Sequence, residues 1–299
     1  MTPDAIRRDA AVSGPGGGNR PRENWFRRNR GAVARHAVIN LFVTIILLPL
    51  VWVLIMSVKS RPDAMRGDFW PRTFDFSHYG YVLHKIDTLP VNLFNSLYVT
   101  AGTVVLTTVC AVIAGYGLAH MKPGGGTFVV AALIVSLYIP VRVVSLVSVY
   151  ETQSFLGLIN RTGGLILPYV TLSLAISVLI MRSMFRLVPN ELIEAARIDG
   201  AGPWRTLLTI GLPLTRNGVV VVLIVNFVTA WGEFLLCATL VNDQSARTMP
   251  VVLAAAQGGV GQWSWPNLAA VYAIVVIPGI LAFACVQKLF FKGLSEGVG

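Results

Sequence analysis

The chain has 299 residues, of which 55% are hydrophobic and 13% charged, and it carries a net charge of +10. Soluble domains hold about 25% charged residues, so this composition excludes an ordinary soluble enzyme and predicts a membrane-embedded chain. The mean hydropathy of +0.67 agrees.

Residues 1–37 come first and contain Gly14-Pro15-Gly16-Gly17-Gly18 with a run of arginines. That composition predicts a disordered basic tail, because it offers little apolar surface to bury. The apolar run that follows is too long for a cleaved leader, and Arg27-Arg28 lacks the flanking pattern of an export signal. The tail also lacks aromatic interleaving or any binding motif, so no nucleic-acid partner is expected.

Six apolar runs of spanning length, about 20 residues each, follow at 38–58, 91–119, 128–150, 164–181, 219–241 and 268–287. They are rich in Leu, Val, Ile and Ala without two-residue alternation, which favours helices over barrel strands. The expected fold class is therefore all-α: a polytopic membrane protein with six transmembrane helices in 38–299 and a polar loop at 182–216. With the N-terminus inside, 16 Lys and Arg lie on the cytoplasmic side and seven outside. The excess predicts a plasma-membrane protein with both termini in the cytoplasm, surrounded by lipid.

Motifs for chemistry are missing. No Gly-Lys dipeptide occurs, so there is no Walker-type phosphate loop, and neither His-Glu-x-x-His nor Gly-x-Ser-x-Gly is present. The four histidines form no set with acids and nucleophiles, and Cys110, Cys237 and Cys285 fall in spans without zinc or disulfide spacing. The expectation is no catalytic residue, no metal and no cofactor bound by this chain.

A few polar residues inside or beside the spans are candidates for a pathway or for partner contacts. Glu233 is the only acid in a predicted span, Asn226 lies about two turns before it, and Arg142 follows Pro140 in the third. Pairing with a partner chain is the favoured role for Glu233, and a structural ion pair that for Arg142. Trp263 and Trp265, in the loop 242–266, are read as interfacial anchors or as rings for stacking on a sugar.

The loop between the fourth and fifth runs holds most of the information. Asn190 is a good cap, Glu191 and Glu194 suit the positive end of a helix dipole, and Gly200 can end that helix after Asp199. Gly202-Pro203 opens a second short helix to about Ile210, with Pro213 as its stop. Small Ala195 and Ala196 allow close approach of another surface. An amphipathic loop at the headgroups is the competing reading from physics alone.

Glu-Ala-Ala-x3-Gly-x9-Ile-x-Leu-Pro is matched by Glu194, Ala195, Ala196, Gly200, Ile210, Leu212 and Pro213. This register resembles the signature of permease subunits of bacterial ATP-binding cassette importers. Ile198-Asp199-Gly200-Ala201, Trp231-Gly232-Glu233-Phe234, Asn95-Ser96-Leu97 and Leu156-Gly157-Leu158-Ile159-Asn160 resemble the carbohydrate-uptake branch, in particular its maltose-type smaller permease. Gly232 departs from the Asn common between that Trp and Glu. The resemblance implies a type I importer permease fold moving a mono-, di- or oligosaccharide. It implies a second homologous permease, a dimer of ATP-binding cassette ATPases carrying ATP-Mg, and an extracytoplasmic sugar-binding protein. Glu194 to Gly200 would be the coupling helix that docks on an ATPase. A permease for a non-sugar solute is the alternative within the class. A channel or a secondary transporter would leave the loop register unexplained.

Overall fold

The computed structural model describes residues 30–121, 123–139, 144–258 and 263–295. The expectations for most of the basic tail and for Arg142 lie outside the described residues.

By compactness the chain divides after Trp52. The first unit holds most of helix α1 (Arg30–Met56), whose stretch Ala34–Met56 has a mean hydropathy of 2.8 and ample length to cross a membrane.

The second unit opens with a compact connector. Helix α2 (Arg61–Arg66) is capped by Ser60 and ends at Gly67, and α3 (Ser77–Lys85) follows. Asp63 organises the turn between them, accepting from the amides of Arg72 and Thr73 and from the Thr73 hydroxyl. Lys59 is fully buried and its Nζ donates to the Asp68 carbonyl. His78 bridges Asn267 Oδ1 and the Lys59 carbonyl, each at 2.8 Å.

Helix α4 (Leu89–Tyr116) continues through a π-turn, Gly117–Met121. Helices α5 (Gly126–Tyr138) and α6 (Leu146–Phe155) follow, then α7 (Ile166–Phe185). The third apolar run thus holds two helices, and residues 140–143 between them lie outside the described residues. Beyond α7 come α8 (Asn190–Ile198) and the segment α9 (Pro203–Leu214), which bends by 81° into α10 (Arg216–Trp231). Helices α11 (Leu235–Leu240), α12 (Met249–Gly258) and α13 (Trp265–Ser295) complete the chain.

Among the described residues four helices can cross a membrane by length and composition, or five if the bent pair forms one span. The fifth run, read as continuous over 219–241, stops at Trp231 and restarts at Leu235. Its apolar character hides the break at Gly232. Helix α12 falls where the sequence suggested only a loop.

The core is the packing of α4, α7 and α10. At one end Val99, Leu165, Tyr169, Ala230 and Leu236 form a buried cluster, and at the other Ala111, Tyr116, Met181, Phe185, Leu207 and Val222 form a second. Between them along the same helices lies a buried polar layer of Thr103 and Thr107, Ser173 and Ser177, and Asn226. Small and hydroxylic residues suit helix contacts in lipid, where apolar burial alone gives little preference for a neighbour helix over the acyl chains. The α4–α7 crossing is tight: a Cβ on Gly115 would lie 2.7 Å from Met181 Cβ and 2.8 Å from the Arg182 amide nitrogen.

Gly115→Leu is expected to cost about 1–3 kcal/mol or more through overpacking, whereas Gly80→Ala, with open space around it, should be near neutral. Thermal unfolding of the detergent-solubilised variants checks this.

Burial opposes ionisation of Asp63, but hydrogen bonds from Thr73 and Arg72 prevail and hold its carboxyl below the ordinary value of 3.8. Its contribution to connector stability is therefore complete above that value and lost as the pH falls through the lower folded one. Hydrogen-exchange protection factors across 60–75, which remove the intrinsic pH dependence of exchange, should stay constant from neutral pH down to the ordinary carboxylate range and fall below it, and Asp63→Asn should remove that dependence.

Candidate functional site

The signature loop folds as a helix–turn–helix seated on one end of the bundle. Helix α8 starts with Pro189 at the cap position and Asn190 as its first helical residue, so Asn190 does not cap it as the sequence suggested. Proline supplies the extended entry conformation, and Glu191 occupies the first turn beside the unsatisfied amides. The helix ends as expected. Gly200 is left-handed at φ 75°, and the Ala201 amide donates back to the Ala196 carbonyl at 2.9 Å.

Two faces separate cleanly on α8. Ile193 and Ala196 are buried, while Glu191, Leu192, Glu194, Ala195 and Asp199 are exposed. Ala196 therefore anchors the helix to its own chain, and of the two alanines only Ala195 faces outward. Ile198 is 86% exposed and Leu187, just before the helix, 76%. Large aliphatic side chains held this far into solvent on a capped helix form a surface suited to a protein partner. The sequence reading missed Leu187, Leu192 and Ile198; the signal was aliphatic residues on the face opposite Ile193 and Ala196.

Helix α9 seats this surface on the bundle. Leu207 packs in the cluster with Tyr116 and Phe185, whose rings meet edge to face at 5.4 Å. His120 Nε2 lies 2.9 Å from the Phe185 carbonyl and ties the π-turn after α4 to the end of α7. A Cβ on Gly211 would touch both rings, so glycine lets the backbone lie against them. Ile210 and Leu212 are half-buried and Pro213 is exposed; Pro213 sits inside the last helical turn and the break falls at Thr215. One contact set thus joins α9 to α4, α7 and α10 through Leu207, Tyr116, Phe185 and Val222.

The pathway candidates are distributed. Asn226 lies in the polar layer, where Ser177 Oγ donates to its Oδ1 at 3.1 Å and its Nδ2 has no partner among the described residues. Glu233 is buried at the break between α10 and α11 and accepts from the Leu236 amide at 3.0 Å, so one of its roles is to cap α11. Trp263 is half-buried with its ring edge on to Tyr81, and Trp265 is exposed at the start of α13. The sequence reading also missed Thr103, Thr107, Ser173 and Ser177, whose spacing of four residues on α4 and on α7 could have revealed the layer. Among the described residues no group of His, Cys, Asp and Glu could hold a metal ion.

At the end away from α8, the motif residues Asn95, Ser96 and Asn160 work as clamps together with Asn92. Asn92 and Asn95 amides donate to carbonyls of Gln244, Ser245 and Arg247, and Ser96 Oγ accepts from the Met249 amide at 2.7 Å. Asn160, at φ 59°, accepts from the Asn242 amide. These contacts fix the segment 242–249.

Comparison with known proteins follows the same lines. The family described as "binding-protein-dependent transport system inner membrane component" matches residues 107–296. The diacetylchitobiose uptake system permease protein NgcG of Streptomyces coelicolor is 30% identical over 270 residues, covering 90% of this chain and 89% of that protein. The trehalose/maltose transport system permease protein MalG of Thermococcus litoralis is 31% identical over 261 residues, 86% of this chain and 92% of its own. A crystal structure of a bacterial ABC transporter that imports the acidic polysaccharide alginate contains a chain with the same fold. Its TM-score is 0.73 at 21% identity, covering 88% of this chain and 98% of that one.

Ile193→Ala should cost about 2–5 kcal/mol by opening a cavity beneath α8, whereas Ile198→Ala should stay within about 0.5 kcal/mol. Paired thermal unfolding of the two variants measures the difference.

Proposed function

As the chain belongs to the family of binding-protein-dependent transport system inner membrane components, we propose that it is the permease subunit of an ATP-driven importer that brings a sugar into the cell. The observation that carries this reading is the exposed, rigidly seated α8 bearing the Glu194-Ala195-Ala196 and Gly200 register. The sugar assignment is supported by relatives described as permeases for diacetylchitobiose, trehalose and maltose.

In this reading 38–299 is the permease domain in the plasma membrane, 1–37 is a basic tail, and both termini face the cytoplasm. The chain is a transport component and not an enzyme; hydrolysis belongs to a separate ATPase dimer that holds ATP-Mg. A second homologous permease completes the membrane part, and an extracytoplasmic binding protein delivers the sugar. The α8 surface of Glu191, Glu194, Ala195 and Asp199, flanked by Leu192 and Ile198, docks on one ATPase. Gly200 ends the helix, and Ile210, Leu212 and Pro213 shape its attachment through α9.

Closure of the ATPase dimer on ATP would pull α8 laterally, and the contact of Leu207 with Tyr116 and Phe185 would carry that motion into α4, α7 and α10. Rigid-body movement of packed helices then alternates access between the two sides. Asn226, with an amide donor left over in the polar layer, and Glu233, in the α10–α11 break, are the residues of this chain most suited to meet sugar hydroxyls or a partner chain as the bundle opens. A non-sugar solute remains the alternative cargo; the carbohydrate-type motifs clamping 242–249 favour sugar.

Replacing Ile198 or Ala195 by Asp should abolish ATP-dependent sugar uptake and remove the ATPase from the detergent-purified complex while the chain stays in the membrane. Gly200→Pro, which is denied the left-handed conformation, should behave alike. Normal uptake with normal ATPase recovery in these variants would contradict the assignment.

A further inference from the structure

A cavity of about 310 Å³ opens at the end of the bundle away from α8, on the outer side in the orientation proposed above. Lys85 and Asp87, at the turn from α3 into α4, form one wall, Gln244 and Arg247 a second, and Trp263 a third. Val252 and Ala255 of α12 supply an apolar floor. None of the residues used for coupling contributes to it.

We propose that this cavity is a carbohydrate subsite, which takes a sugar ring released by the binding protein before it reaches the interior of the bundle. The inference rests on the importer reading and names where the cargo first meets this chain.

The chemistry of the walls selects the ligand class. A pyranose is apolar on its C–H faces and rich in hydroxyls around its edge. An indole beside aliphatic residues suits the face, while a carboxylate, an ammonium, an amide and a guanidinium offer both acceptors and donors to the edge. A lipid tail would leave those polar groups unsatisfied, and a simple anion would meet the Asp87 carboxylate. Lys85 and Asp87 are exposed and form no ion pair among the described residues, so both are available to a ligand. The volume falls at the lower end of small-molecule sites, about 300–1,000 Å³, as a mono- or disaccharide requires.

The site is also built in advance. The carbonyls of Gln244 and Arg247 are gripped by Asn92, and Arg247 Nη2 donates to the Asn242 carbonyl at 2.9 Å. The Trp263 ring is set edge-on to Tyr81, with centroids 5.9 Å apart. Preorganisation of this kind lowers the ordering cost of binding a weak, hydrated ligand.

The test uses the purified complex of this chain with its partner permease and ATPase in nanodiscs, without binding protein. Saturation-transfer difference NMR is recorded with trehalose, maltose and diacetylchitobiose as probes. At least one should receive saturation at its ring C–H protons. Trp263→Ala should reduce that signal about fivefold, in line with the loss of one aromatic contact. Ala255→Trp, which fills the cavity without removing a wall, should do the same, and Trp70→Ala, outside the cavity, should not. No transfer to any probe, or transfer that survives both Trp263→Ala and Ala255→Trp, overturns the subsite. ATP-dependent uptake by the same preparation with binding protein added separates the two readings. Uptake without saturation transfer refutes the subsite alone, whereas absence of ATP-dependent uptake of any sugar refutes the importer reading and the subsite with it.

Discussion

The packing of Leu207 against Tyr116 and Phe185 is the contact on which the transport reading depends. It is where the surface loop becomes continuous with the membrane core. Without it α8 would be a short helix of nine residues on a flexible tether, and a force applied to it would be dissipated locally. With it, the ends of α4, α7 and α10 share one aromatic cluster with the loop. The glycines follow from the same demand: Gly211 lets the backbone lie against the rings, and Gly115 lets α4 and α7 cross closely.

The second constraint comes from the membrane. Apolar side chains gain little by packing on each other in lipid, so close packing and hydrogen bonding must specify which helices pair. The polar layer of Thr103, Thr107, Ser173, Ser177 and Asn226 meets that need between two apolar clusters. Its pairing inside the chain is incomplete: Ser177 bonds Asn226, while the Thr103, Thr107 and Ser173 hydroxyls and Asn226 Nδ2 are left over among the described residues. Buried polar groups normally find partners, and one that does not in a given conformation has a ready role in another. A layer of this composition can exchange partners as helices shift, which an all-apolar core could not do without opening voids.

Much of this was legible in the sequence. The helical class and the long spans follow from uninterrupted apolar runs, and α8 from its acid-rich first turn and the Gly200 stop. Residues of longer-range consequence were hidden. The break at Gly232 interrupts a run that remains apolar on both sides, so hydropathy passes over it. Pro189 rather than Asn190 takes the cap position of α8, because its own ψ of 134° turns the chain out of the preceding turn into the helix. Ala196 turns inward because the Ile193 face must be buried, a choice that depends on α9 and is invisible in the motif. Asn92, Asn95 and Asn160 sit far along the chain from the segment 242–249 that they hold, and no local pattern pairs them with it.

The most direct test of the account is site-specific cross-linking from α8 in native membranes. A photoreactive residue at Ile198 should capture a single ATPase polypeptide, with the yield changing when a non-hydrolysable ATP analogue closes the ATPase dimer. The same probe at the buried Ile193 should capture none. Failure of the Ile198 probe to reach an ATPase, or equal capture from both positions, would contradict the claim that this face of α8 is the coupling surface.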